Sequence, residues 1–170
     1  MSKNLIVKDK KIKLFISCPI TKYFHDSTFD NEFKEFIKKV YMIAEQKCEE
    51  VYLALEEDNY NINEMTDDSK CIMNDSSALC NSDIVVAIPE DSQGAAVELG
   101  WASAKNKKII LIKNFNYKKT AMIDALEMIT DVTTIEYIHV ASDVSNDNAF
   151  FRKLSDEIDV AISKINSEEK

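Results

Sequence analysis

The stretch Asp83-Ile-Val-Val-Ala-Ile-Pro-Glu-Asp-Ser-Gln-Gly-Ala-Ala-Val-Glu-Leu-Gly-Trp-Ala-Ser-Ala104 decides the fold. Ile84 to Ile88 is an unbroken apolar run of strand length, the pattern of a parallel strand covered on both faces. Pro89 ends it, because proline cannot donate to a sheet ladder. The loop Glu90 to Gly94 follows, then a small-residue helix over Ala95 to Lys105 and a second apolar strand over Lys108 to Ile112. Strand, helix and strand in this order make one crossover unit.

The same alternation extends in both directions. Lys11 to Ser17 reads as a buried strand that runs into Cys18-Pro19-Ile20, where Pro19 turns the chain into a loop. From Phe29 onward, Phe33, Phe36, Ile37, Val40, Tyr41 and Ala44 recur at helical spacing, with Asp26 or Ser27 placed to cap the helix start. Val51 to Leu55 reads as a strand and the polar stretch Glu56 to Asp68 as a loop over the strand ends. A helix over Ser69 to Ser82 carries Asp75. Downstream, Ala121 to Ile129 reads as a short helix, Thr133 to Val140 as a fifth strand, and Phe151 to Ile165 as a closing amphipathic helix. The acidic end, Asn166 to Lys170, reads as a solvated helix terminus. The expected architecture is a doubly wound α/β domain of the Rossmann or flavodoxin-like kind: a five-stranded parallel sheet, helices on both faces, and a ligand beyond the C-terminal strand ends.

Composition bounds what such a domain can do. The chain has 170 residues, a length suited to one domain spanning 1–170, with 45% apolar and 30% charged residues. A net charge of −9 with scattered lysines disfavours nucleic-acid polymers, yet leaves room for a small phosphorylated ligand held by backbone N–H groups and hydroxyls. No apolar run approaches the ~20 residues of a membrane span, and the Met-Ser-Lys-Asn start lacks a signal-peptide core, so a cytoplasmic location is expected. Cys18, Cys48, Cys71 and Cys80 are dispersed, and His25 and His139 read as surface or loop residues, so no metal site is expected. With only two glycines, Gly94 and Gly100, both the dinucleotide fingerprint and the phosphate-binding P-loop are absent, and no organic cofactor is implied.

Glu98 stands out as a carboxylate between Val97 and Leu99 in an otherwise apolar helix. Periodicity alone leaves open whether it faces solvent, since Ala95, Ala96 and Ala102 do not fix the core-facing side. The wider pattern is more specific. Phe15-Ile-Ser-Cys-Pro-Ile20 ends the first strand, Asn74-Asp75 stands eight residues before Asp83, and Ser92, Gly94, Glu98, Gly100 and Ala102 spell Ser-x-Gly-x-x-x-Glu-x-Gly-x-Ala. Over roughly Lys11 to Leu126 the chain resembles the nucleoside 2-deoxyribosyltransferase superfamily and, within it, the nucleoside 5′-monophosphate N-glycosidases.

The resemblance implies that Glu98 is the nucleophile and that Asp75 assists the departing base. Two carboxyl groups suit a reaction whose oxocarbenium-like state is trapped by one while the other serves the leaving group. It also implies a substrate pocket of Phe15, Ser17, Cys18, Pro19, Ile20, Lys22, Ser92, Gly94 and Thr120. Transferases often carry aspartate at the position of Ser92; a hydroxyl there tolerates a phosphate that a carboxylate would repel. Thr120-Ala-Met-Ile123 resembles a segment that reaches the phosphate in the neighbouring subunit's site, which implies a homodimer or higher oligomer; Thr120 can equally cap a helix. Phe15, where deoxy-specific relatives commonly carry tyrosine, would leave room for a ribose 2′-hydroxyl and points towards cytidylate, although a core phenylalanine reads as well. Lys22, where some relatives place arginine, offers charge without a bidentate fork. Deoxyribosyl transfer between bases and ligand sensing without turnover are the rival functions.

Overall fold

The computed structural model describes residues 10–25, 28–57, 68–114, 116, 118, 120–137 and 148–168. Five parallel strands form one sheet in the order β4-β1-β5-β6-β7: β1 (Lys13–Ser17), β4 (Glu50–Tyr52), β5 (Ile84–Ala87), β6 (Lys108–Asn114) and β7 (Val132–Tyr137). Between β1 and β4 come a 3-10 turn at Thr21–Tyr23, a small antiparallel hairpin of β2 (Phe24–His25) and β3 (Thr28–Phe29), and helix α1 (Asn31–Glu45). Helices α2 (Ala54–Glu57), α3 (Asp68–Asn81), α4 (Gln93–Ala104), α5 (Ala121–Asp124) and α6 (Asn148–Glu168) complete the chain. The doubly wound five-stranded fold expected from the alternation is the fold found.

The chain leaves β1 towards β4 on one side and returns to β5 on the other, so the strand order reverses between β1 and β5. In an open sheet of this kind the crevice lies beyond the C-terminal ends of those two strands. Alternation along β1 decides what meets it. Leu14 and Ile16 enter the core under α1 and α6, with Phe33, Phe36, Ile37, Leu154 and Ile158. Phe15 enters the core under α3 and α4, with Leu79, Val85, Leu99 and Ala102. Ser17, two residues on, keeps the parity of Phe15 and closes β1 fully buried. Burying each large apolar side chain contributes about 1.5–3 kcal/mol before the entropy of ordering is counted.

Local chemistry sets the helix ends. Asp30 caps α1, its carboxylate accepting the Phe33 N–H at 2.8 Å. The expected caps Asp26 and Ser27 lie outside the described residues, and Phe29, expected inside the helix, instead pairs with Phe24 in the hairpin. α4 ends in a Schellman turn: Asn106 takes a left-handed conformation (φ 53), its N–H reaches Ser103 O, and Lys107 N–H reaches Ala102 O, each at 3.0 Å. Three further boundaries differ from expectation. β4 stops at Tyr52 because the chain turns through buried Leu53 into α2, which buries Leu55. The expected helix over Ala121 to Ile129 breaks into α5 and a 3-10 turn at Leu126–Met128. α6 runs past Ile165 to Glu168, and β7 begins at Val132; residues 138–140 of the expected strand, His139 among them, lie outside the described residues.

Candidate active site

Glu98 and Asp75 arrive from different helices at the crevice rim, Asp75 on α3 and Glu98 on α4, and the two helices pack against each other and against β1. Glu98 is part-buried and accepts a hydrogen bond from Ser17 Oγ at the end of β1. Burial pushes its pKa up to about 7, the Ser17 hydroxyl works the other way, and the charge of Asp75 raises it further. A carboxylate tuned by desolvation and a neighbouring like charge in a cleft is a mark of a reactive group. Helical periodicity could not decide which way Glu98 faces; the bond to Ser17 decides it.

Cys18 completes the wall. Burial, then the charges of Glu98 and Asp75, push its thiol far above the usual range, so it stays a neutral thiol beside both carboxyls. No disulfide joins Cys18, Cys48, Cys71 or Cys80. Asp75 has a neighbour that sequence reading passed over: Tyr52, the last residue of β4, donates its hydroxyl to Asp75 Oδ1 at 2.9 Å. The Tyr52 ring stacks on Phe15, centroids 5.4 Å apart and planes within 14°. Phe15 itself is 1% exposed, a core residue beneath the crevice.

The turn between β5 and α4 supplies the other wall. Ser92 is the N-cap of α4 and accepts the Ala95 N–H at 3.2 Å; its own O–H proton is not used by that bond. A Cβ at Gly94 would meet nothing nearer than Ser92 Oγ at 3.8 Å, so the glycine leaves space at the helix start and answers no backbone need. Just before Ser92, Glu90 and Asp91 both hold positive φ (23 and 59), unusual for residues other than glycine. Glu90 is only 3% exposed. Its carboxylate accepts from the Tyr23 and Tyr137 hydroxyls and pairs with Lys22 Nζ at 3.2 Å. Burial alone would raise its pKa; the two tyrosine hydroxyls and Lys22 outweigh that and hold it below the ordinary carboxylate range. Lys22 is thus held by a protein carboxylate. No local sequence signal marks Glu90, whose burial depends on partners 47 to 68 positions away.

The structure brings together Ser17, Cys18, Asp75 and Glu98, with Ser92 and Gly94 at the start of the helix that carries Glu98. Pro19 is buried and Ile20 packs against the α1 and α6 core, so both shape the loop behind the crevice. Thr120 stands exposed at the start of α5, beyond β6; it occupies the N-cap position without a side-chain capping bond. A cavity of about 210 Å³ lined by Lys10, Asp83, Lys105 and Lys107 lies at the opposite, N-terminal end of the strands. Among the described residues no helix is long and apolar enough to cross a membrane.

No family model matches the chain, and no curated protein matches it by sequence. Solved structures do. The CMP N-glycosidase BcmB of Clostridium botulinum shares the fold at 22% identity and a TM-score of 0.58, over 87% of this chain and 98% of that one. BlsM matches at 21% identity and a TM-score of 0.63, over 93% of each chain. A conserved protein from Enterococcus faecalis V583 matches at 19% identity and a TM-score of 0.54, over 89% of this chain and 99% of that one. The fold that the motif resemblance implied is therefore the fold these proteins share, and a nucleotide N-glycosidase is among them.

Proposed function

We propose that the chain hydrolyses the N-glycosidic bond of a nucleoside 5′-monophosphate, with Glu98 as nucleophile and Asp75 serving the base. The observation that carries this is the pairing of two carboxyl groups at the sheet's reversal point, each with its own hydroxyl donor: Ser17 for Glu98 and Tyr52 for Asp75. In the state that reacts, Glu98 is the anion and Asp75 holds the proton. Glu98 attacks the anomeric carbon as the bond to the base nitrogen breaks, the electron pair leaves with the base, and the base takes the proton from the Asp75 carboxyl. Water then attacks the same carbon, Glu98 departs as carboxylate, and the water proton returns to Asp75, leaving the sugar 5-phosphate. With its pKa near 7 in the resting site, Glu98 is present as the nucleophilic anion in a substantial fraction at neutral pH.

Ser92 supports the monophosphate reading over base transfer, since its hydroxyl proton and the first N–H groups of α4 can meet a phosphate. Lys22 adds positive charge at that end while tied to Glu90. The core residue Phe15 adds no hydroxyl beneath the crevice, which supports a ribonucleotide, and the likeness to a CMP N-glycosidase supports cytidylate or a modified cytidylate. The active form is a homodimer or higher oligomer in which Thr120 completes the neighbouring site. Exposed Met122, two residues after Thr120 on α5, supports a covered face there.

The test is chromatographic detection of free base after incubation with a panel of ribo- and deoxyribonucleoside 5′-monophosphates. Base release with matching sugar 5-phosphate, lowered on the order of 10³-fold or more in Glu98→Ala, is the expected result. Release only when an acceptor base is added identifies a transferase. Binding without release by wild-type protein identifies a sensor.

A further inference from the structure

Tyr52 connects two parts of the site that strand topology would otherwise leave separate. It is the β4 residue in register with Phe15 of β1, and the two rings stack on the side of the sheet covered by α3 and α4. Its hydroxyl meets Asp75 on α3, 23 positions along the chain, at 2.9 Å. The stack fixes the ring, and the fixed ring fixes the hydroxyl. An aspartate on a helix surface otherwise turns about its side-chain bonds, and a carboxyl that must meet one nitrogen of a departing base has to be held in one orientation.

We propose that Tyr52 is a positioning residue that turns the Asp75 carboxyl towards the leaving base. This rests on the reading given under Proposed function. Among the described residues, groups facing Asp75 include Tyr52 from β4, Cys18 from the loop after β1, and Glu98 from α4. Tyr52 binds Asp75 directly through its hydroxyl, and the stack on Phe15 holds the ring. The role is specific to base departure, because Glu98 is held by Ser17 instead.

A pair of substrates tests it. One is the nucleoside 5′-monophosphate cleaved fastest by the wild-type protein; the other is the para-nitrophenyl riboside 5-phosphate, whose phenolate leaves without a proton. Tyr52→Phe keeps the ring stack and removes the hydroxyl. The expected result is a fall in kcat of about tenfold on the nucleotide with KM and Tm unchanged, and no fall on the aryl substrate. In an Asp75→Asn background the same change has no further effect on the nucleotide. Equal slowing on both substrates, no slowing on the nucleotide, or an additive loss in the Asp75→Asn background overturns the proposal while leaving the glycosidase reading intact. Wild-type protein that releases base from no monophosphate overturns both.

Discussion

Replacing Glu98 by glutamine should stabilise the fold, and by an amount that depends on pH. The Glu98 carboxyl has its pKa near 7 where an ordinary glutamate has 4.5, chiefly because burial strips solvent from the ion. At about 1.4 kcal/mol per pH unit, the ionised side chain costs the native state about 3 kcal/mol. The sign follows from proton counting. Between the two pKa values the folded chain holds a proton that the unfolded chain has released, so stability falls as pH rises through that window and stays low above it. A neutral amide in the same place carries no such penalty. The Glu98→Gln variant should match the wild type near pH 4 (on the order of the unfolded pKa) and exceed it by about 3 kcal/mol at about pH 8, or roughly 6–12 °C in Tm for a domain of this size. Thermal melts across that range, without substrate, provide the measurement. A gap that does not vary with pH, or a glutamine variant less stable than wild type in mild alkali, would refute the electrostatic account of the site.

Two further substitutions test the frame around it. Glu90→Ala should cost about 3 kcal/mol at neutral pH by stranding the Tyr23 and Tyr137 hydroxyls. Because the Glu90 carboxyl is held below its ordinary pKa, its contribution is complete above the unfolded value and disappears as pH falls through the folded one. Urea titrations should therefore show the gap between variant and wild type narrowing in acid. Asn106→Val should cost about 1–2 kcal/mol, since a branched side chain resists the left-handed backbone that ends α4, whereas Asn106→Gly should be neutral or stabilising; melts of the two variants decide it.

The fold was legible because its signals are local. Ile84 to Ile88 and Ile109 to Ile112 announce buried strands by composition alone, and helix α1 announces itself by the spacing of Phe33, Phe36, Ile37, Val40 and Ala44. The hairpin that takes Phe29 was not legible, since two-residue strands leave no periodicity, and the helix start passed to Asp30. Glu98, Asp75 and Ser17 could be singled out from motif spacing, and the structure brings them together. Tyr52 and Glu90 could not. Tyr52 gains its role from the placement of β4 beside β1, a tertiary fact, and Glu90 resembles any loop glutamate until Tyr23 and Tyr137 close over it.

The parity of β1 sorts more than side chains. On one side of the sheet Phe29, Phe33, Phe36, Tyr137 and Phe150 interlock in a broad aromatic layer; on the other, smaller residues such as Ala87, Leu99 and Ala102 share their layer with the helices that carry the carboxyls. A lineage carrying this arrangement can change the surroundings of the two carboxyls through α3 and α4 while the aromatic layer keeps the chain folded. The same separation tells a protein engineer where to work: substitutions under α1 and α6 alter robustness, and those under α3 and α4 alter the surroundings of Glu98 and Asp75.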